Sequence, residues 1–216
     1  MPAKKAAKTP QVTLYTMPIS HWCVSAERQL AFKGVKADLV RVPYHDKAEL
    51  IKATGQDYVP ALMWGSKFVP WYDIPTFLEK EVPKPSLFPW KLEWQSRVIA
   101  DWGHQVLEEK VWRTVVTEVP PVLESEHERW VFEEMQTRAR GPWHVLQARK
   151  AEFEKDMLEH LERVDKLTQN RGWVLGLPGL ADFGIYGALS PLLTVGRKPP
   201  AKLKALNDWI RRIQAL

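Results

Sequence analysis

The chain has 216 residues, 31 Lys and Arg against 26 Asp and Glu, 45% apolar residues, eleven Trp and one Cys. That apolar fraction excludes wholesale disorder, and a single Cys excludes both a disulfide framework and a Cys-rich zinc module. No apolar run approaches the roughly 20 residues that span a bilayer, and a net charge of +5 is too diffuse to specify a nucleic-acid partner.

Residues 1–10, with Lys4, Lys5 and Lys8 among small residues, read as a flexible basic tail without the apolar segment of a secretory signal. Val12 and Leu14 alternate with Thr13 and Tyr15 in a strand, and a helix follows from Cys23 to Lys33, with Gly34 at its end. Leu39 to Val42 is a second strand, which makes a βαβ unit and implies a parallel pair. A weak helix over Asp46 to Thr54 precedes two short apolar runs around Gly65-Ser66, a hairpin signal, and a helix from Tyr72 to Glu79. Residues 11–80 are therefore expected to form an α/β domain of order βαβ-α-ββα. The stretch 81–90 carries Pro83, Pro85 and Pro89 and reads as a linker. Residues 91–216 predict helices only: Leu92 to Val119, Glu124 to Leu146 broken at Gly141-Pro142, Ala151 to Leu167, a nearly all-apolar Leu180 to Thr194, and Ala201 to Gln214.

Four stretches sharpen that outline. They are Ser20-His21-Trp22-Cys23 running into Leu30-Ala31-Phe32, Val59-Pro60-Ala61-Leu62, Ile74 to Leu78 with Pro85-Ser86-Leu87-Phe88-Pro89, and Gly179-Leu180-Ala181-Asp182. In this order and spacing the chain resembles the glutathione transferase superfamily, and its Ser-His-aromatic-Cys turn is similar to that of a bacterial subgroup. The resemblance implies a thioredoxin-like domain, an all-helical domain, a homodimer in the cytoplasm, and glutathione as co-substrate for attack on a small hydrophobic electrophile. Composition and motifs give no expectation of a nucleic-acid, membrane or metal partner. The alternative is a non-catalytic protein of the same fold that binds a hydrophobic ligand or a protein.

A strand ending in a turn leaves the first amides of the next helix unpaired, and such an end stabilises an anion such as a thiolate. By position Ser20 matches the family's catalytic hydroxyl, or it simply caps the helix. Cys23, one turn on, is the second candidate nucleophile, with burial as the competing reading. His21 and Trp22 are expected to shape the pocket wall. The resemblance implies that Val59, before a cis Pro60, pairs its backbone with the cysteinyl part of glutathione, and that Lys47 faces the glycyl carboxylate. Family members usually carry an acidic residue and Ser before the last helix of the first domain, to hold the ligand's amine and α-carboxylate. Pro70-Trp71 stands there in this chain, with Asp73 nearby, so Trp71 is expected to border the ligand. Trp102, among Trp90, Trp94, Trp112, Trp130 and Trp143, is expected to line an aromatic electrophile pocket. Asp182 is a cap residue of the buried helix. Asp101-x-x-His104 and Glu124-x-x-His127 have di-metal spacing, but the segment around Glu124 is charged throughout, which fits a solvated face better.

Overall fold

The computed structural model describes residues 10–216. Most of the basic tail therefore lies outside the described residues. Strand β1 (Val12–Thr16) enters the first domain and helix α1 (His21–Phe32) follows it, leading to β2 (Asp38–Arg41) and α2 (Ala48–Thr54). The hairpin of β3 (Ala61–Trp64) and β4 (Lys67–Pro70) leads through one tight turn into α3 (Ile74–Glu81). Strand order is β2-β1-β3-β4, with β1 parallel to β2 and every other pair antiparallel. Gly65, at φ 60°, opens the two-residue hairpin turn, the place where a left-handed backbone favours Gly.

Both faces of the sheet are covered, so β1 is buried nearly throughout and the expected alternation is blurred. Leu14, Leu62 and Val69 pack on α1 and α3 through Ala26, Leu30 and Leu78. Tyr15 and Ala61 pack on the other side against Leu50 of α2. The linker is held by one buried cation. The Lys33 ammonium pairs with Glu79 and donates to the Val82 carbonyl at 2.7 Å, while Glu79 accepts from the Ser86 hydroxyl at 2.9 Å.

The second domain is helical among the described residues: α4 (Glu93–Trp102), α5 (Glu108–Val115), α6 (Glu126–Arg140), α7 (Trp143–Ala148), α8 (Lys150–Gln169), α9 (Leu180–Thr194) and α10 (Lys204–Gln214). The single helix expected over Leu92 to Val119 is instead two, joined by a π-helical turn at Gly103–Leu107. That turn sits where helix α4 meets α9, and a Cβ on Gly103 would lie 3.0 Å from the Gly184 backbone. Helix α9 is buried from Leu180 to Leu192 and forms the spine of the molecule. Glycine lets it touch the first domain directly: a Cβ at Gly187 would stand 2.4 Å from the His21 carbonyl oxygen.

Asp182 fixes the start of α9 as expected of a cap. Its carboxylate accepts from the amides of Gly179 (3.2 Å) and Val174 (3.0 Å) and from the Trp209 indole (2.7 Å). A second tie joins the domains at α6. Arg41 donates to both oxygens of buried Glu128 at 2.8 Å, and the Tyr44 amide adds a bond at 3.3 Å. Burial alone would raise the Glu128 carboxyl, but the Arg41 hydrogen bonds and charge outweigh it and hold the group below its usual range. No helix among the described residues is long and apolar enough to cross a membrane.

Candidate active site

Beyond β1, Met17, Pro18 and Ile19 turn the chain into α1. Ser20 is the N-cap in extended geometry, its amide donating to the Met17 carbonyl at 2.8 Å and its carbonyl accepting from the Val24 amide at 3.0 Å. Its hydroxyl makes no cap bond to a helix amide and lies instead within hydrogen-bonding reach of the Cys23 sulfur. The helix therefore starts without a side-chain acceptor on its first amides, and the positive end of its dipole is open to an anion.

Cys23 itself is 0% exposed and sits among Met17, Ile19, Trp112 and Phe132. Burial pushes its thiol up to about 11, against the lowering effect of hydrogen bonds from Ser20, Met17 and Thr16. A thiol held protonated and covered by the second domain is not a nucleophile at neutral pH. The structure thus corrects the catalytic expectation for Cys23 to a packing role.

Val59 packs against the same cluster as Met17, Ile19 and Cys23, and the bond to Pro60 is cis. Its amide and carbonyl make no backbone hydrogen bond among the described residues. The backbone of Val59, in the bend that leads into β3, is therefore left unpaired and open to another peptide backbone.

Between α1, α3 and α4 lies a cleft of about 240 Å³. Trp22, Pro60, Trp71 and Tyr72 line it, together with Arg97 and Asp101 of α4 and His104 of the π-helical turn. Trp22 is the hinge of the ring system, stacked on His104 (centroids 3.6 Å apart, 17° between planes) and tilted against Trp71 (4.5 Å, 53°). His21, in contrast, points away from the cleft into the layer between the domains. Its Nδ1 is 3.4 Å from Glu108 Oε1, and Arg140 lies 3.5 Å from the same carboxylate. Burial, reinforced by Arg140, drops the His21 imidazole to about 3, whereas burial raises Glu108 to about 7 despite Arg140. At neutral pH His21 is thus an uncharged spacer and not a strong base.

The remaining expectations divide. Trp71 borders the cleft, 36% exposed. Lys47 caps α2, half-buried, and does not line the cleft. Asp73 faces a separate surface groove with Lys67 and Lys80, so it is not the missing acidic anchor. Trp102 is corrected: it stacks on His160 (6.2 Å, 18°) and packs on the core of the second domain, because its side of α4 faces α8. Trp94 and Trp130 are exposed and Trp112 is core, so the rings of the cleft come mainly from the first domain. Sequence reasoning missed Gln29, Arg97, Asp101 and His104 as cleft residues. Their signal was spacing: Arg97, Asp101 and His104 recur at i, i+4 and i+7 on one helical face. Among the described residues no group of three or more His, Cys, Asp or Glu could hold a metal ion.

No protein-family model matches the chain and no curated protein matches its sequence. Solved structures do match its shape. Glutaredoxin 2 from Salmonella typhimurium, in complex with glutathione, aligns at TM-score 0.77 over 95% of this chain and 94% of that one, with 19% identity. A glutathione transferase from Phanerochaete chrysosporium aligns at TM-score 0.78 over 96% and 98%, with 15% identity. The chain has the glutathione S-transferase fold. That fold also carries the β-etherase LigF from Sphingobium sp. strain SYK-6, at TM-score 0.69, 17% identity and coverage of 95% and 96%. Within the glutathione S-transferase fold the chemistry is therefore set by the residues of each site, not by the architecture.

Proposed function

We propose that the protein is a glutathione-dependent transferase in which the Ser20 hydroxyl stabilises the thiolate of bound glutathione for attack on a small hydrophobic electrophile. One observation carries this reading: the Ser20 hydroxyl, at the open amide end of α1, is not spent on capping the helix. A hydrogen bond to an ionised acceptor contributes about 1.5–3 kcal/mol, which is about one to two pH units of thiol acidity. The unpaired backbone of Val59 would align the cysteinyl backbone beside it, and Trp22 and Pro60 would flank the peptide. Lys47, at the head of α2, is proposed to meet the glycyl carboxylate. Work on a reduced thiol fits a cytoplasmic protein, and a homodimer is proposed by likeness of fold.

A second reading is favoured by Trp71. Its indole packs at a tilt against Trp22 at the position where an acid-Ser anchor is expected, and this supports a non-catalytic protein that binds a hydrophobic ligand or a partner protein. The two readings separate in one experiment, retention on immobilised glutathione followed by turnover of a chloro-dinitro aromatic. Wild type that is retained and active, with Ser20→Ala retained but at least tenfold slower, supports the transferase. Wild type that is neither retained nor active supports the binding protein.

A further inference from the structure

Where α6 ties the two domains together, two imidazoles meet on the surface. His45 lies in the loop between β2 and α2, and His127 lies in the first turn of α6. Both are exposed, their ring centroids stand 4.8 Å apart at 68°, and neither makes a hydrogen bond or ion pair with a described residue. Their neighbours in the chain, however, are bonded to each other. The Tyr44 amide donates to Glu128 at 3.3 Å, and the Tyr44 ring meets Phe132 of α6 edge-on, with centroids 5.4 Å apart. Arg41 clamps the Glu128 carboxylate and also pairs with Glu124 at 3.0 Å. The spacing of the two rings is therefore set by paired neighbours on both sides.

That spacing suits a shared metal ion. Zinc–imidazole bonds of about 2.0–2.1 Å, with about 1.1 Å from nitrogen to ring centre, place each centroid about 3.2 Å from the ion. Two such rings set at about 90–110° around one ion stand about 4.5–5.2 Å apart, a range that includes the 4.8 Å here. The second His torsion is soft, so exposed rings can turn a nitrogen toward a common point without moving the backbone. Imidazole is a preferred ligand of zinc, nickel and copper, and Asp46 and Glu126 adjoin the two rings in sequence with charge that favours a cation. Two protein ligands leave the other positions to water, which an exposed site supplies. Another imidazole pair, His21 and His104 at 5.2 Å, sits inside the protein under the influence of the Arg140 charge, which repels a cation.

We infer that His45 and His127 form a two-imidazole site for a borderline divalent cation of the zinc class, with water completing its coordination. The ion joins the first domain to the second beside the Arg41–Glu128 pair, and it restrains the loop that leads into α2. The inference is independent of the glutathione reading, since neither ring borders the cleft.

The test is calorimetric titration of the untagged full chain with zinc chloride, and with magnesium chloride as control because magnesium prefers oxygen ligands. Wild type is expected to bind one zinc ion at this site and no magnesium. His45→Ala and His127→Ala, both changes at exposed positions, are each expected to weaken zinc at least tenfold. Nickel, which quenches nearby indole emission, reports the position, because the Trp130 indole stacks on His127 (5.9 Å, 17°). It is expected to quench wild type more than Trp130→Phe, while Trp130→Phe still binds zinc as wild type does. Zinc is also expected to raise the urea midpoint of wild type and to raise that of either His variant less. Wild type that binds no zinc, or zinc binding unaltered in either His variant, overturns the site. Nickel quenching unchanged in Trp130→Phe, or a urea midpoint raised equally in all three proteins, overturns it as well.

Discussion

Replacing Asp182 with Ala removes the acceptor shared by three buried donors at the head of α9. The Val174 amide and the Trp209 indole N–H, both inside the core, are left unsatisfied at about 1–3 kcal/mol each, so a loss of about 4 kcal/mol is expected. The dependence on pH is the sharper test. Burial raises this carboxyl from an ordinary 3.8 to about 6, against the pull of its hydrogen bonds. The folded chain thus holds the proton more tightly than the unfolded chain. The stability conferred by that proton is fully present below about pH 3.8 and is lost as pH rises through about 6. Two pH units correspond to about 3 kcal/mol, of which about 2 kcal/mol falls between about pH 4.5 and pH 7.5. Urea unfolding of wild type and Asp182→Ala at those two pH values isolates the effect, since every other group titrates in both proteins. The variant is expected to be penalised more in acid than at neutral pH, the reverse of a salt-bridged carboxylate. A penalty that is flat with pH, or larger at neutral pH, refutes the reasoning.

Arg41→Ala leaves Glu128 buried without its cation and is expected to cost about 3 kcal/mol in urea unfolding, with Arg41→Lys recovering part of it. Gly187→Ala drives a methyl group to 2.4 Å from the His21 carbonyl oxygen and is expected to cost at least about 1–3 kcal/mol. Because His21 follows Ser20, that variant should also lose glutathione affinity; unchanged stability would show that α1 and α9 separate easily. Cys23 is expected to resist a thiol reagent at about pH 8 until denaturant is added, since a thiol near 11 is about 0.1% ionised there. Fast labelling of the native protein would restore it as a reactive group.

Local chemistry made much of this molecule legible. The Gly-Ser turn, the Pro-rich linker and the all-apolar stretch from Leu180 to Thr194 each act over a few residues, and each falls where periodicity and turn residues place it. Ser20 at the head of α1 was legible for the same reason. The misses share another cause. Trp102 and His104 are two residues apart, and which of them enters the cleft depends on the π-helical turn and on how α4 rolls against α9. The pairing of Arg41 with Glu128 joins residues 87 positions apart, and no spacing rule encodes it. Gln29 reads as an ordinary polar residue late in a helix, and only the packed domains show it buried with an unpaired carbonyl.

The most direct test of thiolate stabilisation at α1 is the ionisation of glutathione in its complex, followed by thiolate absorbance near 240 nm as pH is varied. Free thiols ionise near about 8.5, and the bound thiol is expected to ionise about one to two pH units lower in wild type, returning toward the free value in Ser20→Ala. A bound thiol that titrates like the free peptide, or one whose lowered value survives removal of the Ser20 hydroxyl, contradicts the account.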